Sequence, residues 1–145
     1  MVDNNRPKIA VTPCAGVGQI FGPIVREAGY RLVEDMYPDE TVLVCMPALA
    51  ANIQEDIDFI KDYQVLVLNG CKDRCASKVV LDKGGQVDAE VYLPDILKQE
   101  KLSLHGEKRS KLGPKSQLAI DKMAERAGEV ISALIQEGKK DEQVS

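Results

Sequence analysis

A chain of 145 residues, 44% hydrophobic and 29% charged, carries enough apolar side chain to fold around one core and too much to read as disordered. Its formal net charge of −4 argues against nucleic acid as a partner, and no apolar run approaches the roughly 18 residues needed to cross a bilayer. The opening MVDNNRPKIAV has no long apolar stretch of a secretory signal, so the expected compartment is the cytoplasm. There thiols stay reduced, and the four cysteines point to metal or redox chemistry rather than to structural disulfides.

The first predicted element is KIAVTP at 8–13, a nearly continuous apolar run of the kind a strand shows when both its faces are covered. Behind it Val17, Ile20, Phe21, Ile24, Val25 and Ala28 recur at spacings of three and four, which predicts a helix with Pro23 as an early-turn residue or a kink. TVLVCM at 41–46 is the second strand. Leu49, Ile53, Ile57 and Ile60, with Gln54, Glu55, Asp56 and Asp58 on the other side, predict an amphipathic helix after it. The third strand is QVLVLNG at 64–70, and CKDRCASKVVLDKGG then has the length for three helical turns closed by Gly84-Gly85. AEVYLP at 89–94 adds an edge strand that Pro94 stops.

Residues 95–114 are polar and rich in Lys and Arg, and are expected to form an irregular basic connection. Leu118, Met123, Ala127, Val130, Ile131, Leu134 and Ile135 then mark a C-terminal helix over 115–138, with Ser116 as its N-cap and a fraying tail over 139–145. Strand and helix alternate through the core at 8–94. The expected fold is therefore α/β: one domain over 1–145, three layers, a mostly parallel sheet of about four strands in a Rossmann-like or flavodoxin-like order 2-1-3-4, and a C-terminal helix.

On this map Cys14 follows the first strand, Cys45 ends the second, Cys71 follows the third, and Cys75 lies one helical turn further on. Parallel strands all end on one edge, and open α/β sheets bind ligands outside that edge. Strands spaced roughly 4.8 Å apart let side chains from neighbouring ends share one ion. A spacing of four residues on a helix's first turn would put the sulfurs of Cys71 and Cys75 on one face, near a positive dipole end. Packing alone is the competing explanation, since free cysteine is among the most buried residue types. The only histidine, His105, falls in the polar connection and is expected to be exposed.

PCAGVGQ, VCMPALA and VLNGCKDRCASKVV resemble the DGC-domain family, small prokaryotic proteins described as zinc-binding. The resemblance covers about residues 8 to 83. It implies four metal-chelating cysteines, which fall here on Cys14, Cys45, Cys71 and Cys75. In place of the Asp of the naming tripeptide this chain has Asn69, followed by Gly70. An amide cannot act as the proton acceptor or anion that a carboxylate would be, but it can orient a sulfur.

The expected function is metal binding, with zinc as the cofactor, through these four cysteines, supported by Asn69, Gly70 and the backbone at Gly16. An iron–sulfur cluster would suit four thiolates as well, although the spacing differs from ferredoxin runs. Metal-free thiol redox or sulfur-transfer chemistry is a further alternative; CxxxC differs from the thioredoxin-type CxxC. Another class of function is an interaction module, in which the apolar C-terminal helix docks on a protein partner or a second copy, though such a stripe usually packs on its own core. GVGQIFG lacks the Lys and Ser/Thr of a phosphate-binding loop, and no Arg follows Cys14 as phosphatase chemistry would require. Whether any metal is catalytic, and on what substrate, is not written in the sequence.

Overall fold

The computed structural model describes the backbone of residues 8–144 and the side chains of residues 8–137. Four strands form one sheet: β1 (Ile9–Pro13), β2 (Thr41–Leu43), β3 (Gln64–Asn69) and β4 (Ala89–Tyr92). Their order is β2-β1-β3-β4 and every pairing is parallel. This is the expected α/β arrangement. The register pairs Ile9 with both Thr41 and Gln64, so the three strands enter the sheet side by side.

The continuous apolar run of β3 serves two cores at once. Successive side chains of a strand point to opposite faces. Leu66 and Leu68 enter a core with Val11, Ile24, Val25, Leu32, Leu93, Ile120 and Met123. Val65 and Val67 enter another with Ala10, Val44, Leu49, Ile60, Ala76 and Val80. The first core is roofed by α1 (Phe21–Tyr30), which a π-helical turn at Arg31–Met36 prolongs, by α5 (Leu93–Gln99) and by α6 (Pro114–Val144). The second is roofed by α2 (Met46–Ala50), α3 (Gln54–Asp62) and α4 (Cys75–Asp82).

Several boundaries differ from the sequence reading, each for a physical reason. Helix α1 starts at Phe21, and Val17 lies outside it with 77% of its surface exposed. Pro23 sits in the first turn, where its missing N–H costs no helical bond. The second strand stops at Leu43 rather than running to Met46, so Cys45 is the residue before α2. The apolar series from Leu49 to Ile60 is split in two. Asn52 adopts a left-handed conformation (φ +64°), and Ile53, just before α3, is half exposed.

The basic connection expected at 95–114 begins with a helix. The edge strand expected over 89–94 stops at Tyr92, and Pro94 lies in the first turn of α5, a position that proline tolerates. Helix α6 begins at Pro114 and runs on to Val144, past the expected end at 138. Ser145 and the side chains from Gly138 onward lie outside the described residues, and with them the expectation of a fraying tail. Ser116 lies inside α6 and is buried. The start of that helix is held by Glu107, whose Oε1 accepts from the backbone N–H of both Gly113 and Ser116 at 2.9 Å. Ala119, Ile120, Met123, Ala127, Ile131 and Leu134 turn the helix stripe onto the sheet, whereas Leu118 faces solvent. The stripe thus covers the chain's own core. Among the described residues, no helix is long and apolar enough to cross a membrane.

Candidate metal centre

The strand order brings the carboxyl ends of β2, β1 and β3 side by side, and a cysteine follows each. Cys14 comes directly after β1, and its N–H donates to the Leu68 carbonyl at 3.0 Å, extending the β1–β3 ladder by one bond. The next residue, Ala15, is left-handed (φ +50°), which turns the chain sharply away from the sheet. The Cys14 side chain is half buried and touches both cores. Burial pushes its thiol above the ordinary value of 9.0. Backbone N–H groups of Gly70, Gly16 and Ala15 oppose that rise by stabilising charge on sulfur, and the neighbouring Cys71 adds to it. Successive N–H groups about a left-handed residue are a known way of holding negative charge.

Cys71 and Cys75 do not share a helical face as their spacing suggests. Cys71 lies in a turn closed by the Arg74 N–H on its own carbonyl at 3.1 Å. Arg74 is left-handed (φ +47°), and α4 begins only at Cys75. A left-handed residue between the two breaks the helical repeat on which the four-residue spacing depends. Charge on Cys71 still bears on Cys14, and Cys75 is exposed on the first turn of α4. Cys45 is likewise exposed and precedes α2. Helix α2 packs against α4, so both exposed cysteines open helices of the same layer. Asp56, 5% exposed in the first turn of α3, accepts the Cys45 N–H at 2.9 Å and fixes that backbone.

The supporting residues act differently from expectation. Gly70 is not left-handed, and its role is space. A β-carbon there would lie 2.8 Å from Phe21 Cβ and 3.2 Å from the Phe21 backbone, so β3 can end against the start of α1 only as glycine. Gly16 has open space around it. The sterically required glycine is its partner Gly22, where a β-carbon would fall 1.7 Å from the Gly16 carbonyl oxygen. Asn69 is fully buried. Its Oδ1 accepts the Ala76 N–H at 3.2 Å, and its Nδ2 donates to Ser77 Oγ at 2.9 Å and to Glu90 Oε2 at 2.7 Å. Glu90 and Arg74 were not singled out from the sequence, and Asp56, expected on the polar side of its helix, is buried instead. Only Asp56 carried a local signal, as an acidic residue in a helix's first turn; Glu90 and Arg74 meet through pairing of β3 with β4.

In kind the donor set fits zinc or an iron–sulfur cluster: four thiols, with backbone N–H groups placed to stabilise sulfur charge. In spacing it is incomplete. Among the described residues, no three His, Cys, Asp or Glu side chains stand within reach of one ion. His105 is exposed in the connection before α6 and takes no part.

The DGC domain family matches residues 10–115. The chain belongs to that family. The match runs well past residue 83, where the motif resemblance stops, and includes β4, α5 and the connection to α6. The DGC domain thus takes in Glu90 together with the cysteines. No curated protein and no solved structure matches the chain.

Proposed function

We propose that this DGC-domain protein binds a metal ion, zinc in the first place, through the thiolates of Cys14, Cys45, Cys71 and Cys75. The observation that carries the reading is the strand order, which collects cysteines from three remote segments onto the carboxyl ends of three adjacent parallel strands. Charge on Cys71 bears on Cys14, and Cys45 and Cys75 open two helices that pack together, which supports the reading. Packing does not account for the latter two, because both are exposed. Bound zinc would either staple the edge, with four thiolates, or offer a Lewis-acid position, with fewer. The chain's own part is to hold sulfur charge at Cys14 through the N–H groups of residues 15, 16 and 70, and to carry Cys71 and Cys75 on either side of the turn at Arg74.

A second reading is metal-free thiol chemistry at the same edge. The exposure of Cys45 and Cys75, with no three donors gathered, favours it. Elemental analysis of protein purified without oxygen separates the readings. About one zinc per chain, lost in Cys71→Ser, is the expected result. Iron with acid-labile sulfide would replace zinc by a cluster at the same thiolates. Absence of metal from the wild-type protein would move the function to thiol chemistry.

A further inference from the structure

Arg74 stands between Cys71 and Cys75 in a backbone conformation that an L side chain resists, φ +47°. Such a conformation persists where its surroundings over-determine it. Here the side chain is held on two sides: Nε donates to Glu90 Oε2 at 2.9 Å, and the guanidinium lies 4.0 Å from the centre of the Tyr92 ring.

The same Glu90 oxygen accepts from Asn69 Nδ2 at 2.7 Å. The orientation of that amide is dictated by its other partners. The Ala76 N–H must meet an oxygen, so Oδ1 faces α4 and the NH2 group faces Glu90. Aspartate at position 69 would set one carboxylate against another at hydrogen-bond distance. Asn69 and Glu90 are therefore a matched donor and acceptor, and Glu90 ties the residue before the turn (Asn69) to the residue within it (Arg74).

We infer that Glu90 is the positioning residue of the Cys71–Cys75 turn, acting through Arg74 and Asn69 to fix the backbone that carries both sulfurs. Its value for function rests on the reading of the four sulfurs as one site; its structural content does not. Glu90→Ala and Asn69→Asp should each speed amide exchange at Arg74 and Ala76 by about tenfold or more, with the amides of β1 and β3 unchanged. The double variant Asn69→Asp/Glu90→Gln restores a donor and an acceptor across the pair but turns an amide N–H toward Arg74 Nε, so exchange should recover at Ala76 and stay fast at Arg74. Zinc affinity should fall about tenfold in the single variants.

Unchanged exchange at Arg74 and Ala76 in a folded Glu90→Ala overturns the inference. Should that variant fail to fold, Arg74→Gly decides. Glycine suits φ +47°, so a turn set by backbone preference alone would tighten, whereas a turn held from Glu90 would loosen and exchange faster. A wild-type protein that takes up no zinc defeats the four-thiolate reading, and the exchange rates still decide the role of Glu90.

Discussion

Cys14 and Cys75 sit at the same sheet edge in opposite circumstances. Cys14 is half buried between the two cores, under three backbone N–H groups, with its thiol pushed up by burial. Cys75 is exposed on the first turn of α4, behind a turn that side chains hold in a left-handed conformation. For Cys14, packing and chemistry give equally good reasons for a sulfur. At Cys75, and at the similarly exposed Cys45, packing gives none. The edge thus has a built half, where β1, β3 and the start of α1 interlock, and an open half on the helices of the other layer.

The strongest way to break the comparison is to unlock the built half. Gly22→Ala places a methyl where the Gly16 carbonyl oxygen already is, a 1.7 Å approach that no rotamer relieves. We expect a loss above about 4 kcal/mol in denaturant unfolding, the range reserved for gross steric conflict. Gly70→Ala meets Phe21 at 2.8 Å and should cost about 1–3 kcal/mol, because part of that contact is side chain. If Gly70→Ala proves the more damaging of the two, the interlock is centred on β3 rather than on the residue 16 loop.

A more selective comparison substitutes one cysteine on each side. Cys14→Ser buries a hydroxyl against both cores and should cost about 1–2 kcal/mol. Cys75→Ser on the exposed turn should stay within about 0.5 kcal/mol of wild type. On the four-thiolate reading both should lose zinc equally. Equal stability costs would show that the two halves are not energetically distinct.

The two halves should also separate with pH. Burial keeps a proton on folded Cys14 at pH values where the unfolded chain has released it. In the presence of a chelator, stability is therefore full below the ordinary value of 9.0 and falls as pH climbs past it. Cys14→Ser should remove that slope and Cys75→Ser should leave it. An unchanged slope in Cys14→Ser would place its origin elsewhere.

How far the sequence reaches follows the same division. The sheet was legible because apolar runs such as Gln64–Asn69 are continuous, which only strands covered on both faces require. That continuity also predicts parallel strands, which end on one edge, and a cysteine follows the carboxyl end of each of β1, β2 and β3. The local geometry at Cys71 and Cys75 was not legible. A spacing of four says helix, and nothing in CKDRC announces that Arg74 turns left-handed, because its ties come from Glu90 and Tyr92 on a strand that follows a whole helix later. Helix α5 escaped notice because only Leu93, Ile96 and Leu97 mark its buried side, too short a stripe to show a period. Pro94 read as the end of a strand, but the strand stops at Tyr92 and Pro94 lies in the first turn of the helix that follows.

The smallest expected effect lies at Glu107, which caps α6. Its carboxyl is held below the ordinary value of 4.5 by the Ser116 hydroxyl beside it, by the Ser116 N–H and by the Gly113 N–H. A depressed carboxyl contributes stability above its ordinary value, and that contribution fades as pH falls below it. Glu107→Gln preserves the shape and removes the charge at the positive end of the helix. The variant should melt slightly below wild type at neutral pH, and the two curves should converge in acid as wild-type Glu107 takes up its proton. On the four-thiolate reading zinc content should be unaffected, since Glu107 holds backbone N–H groups at the start of α6 and no cysteine. A variant that lost metal as well would show that α6 and the residue 14–20 loop, which Arg109 joins through the Gly18 carbonyl, act as one unit.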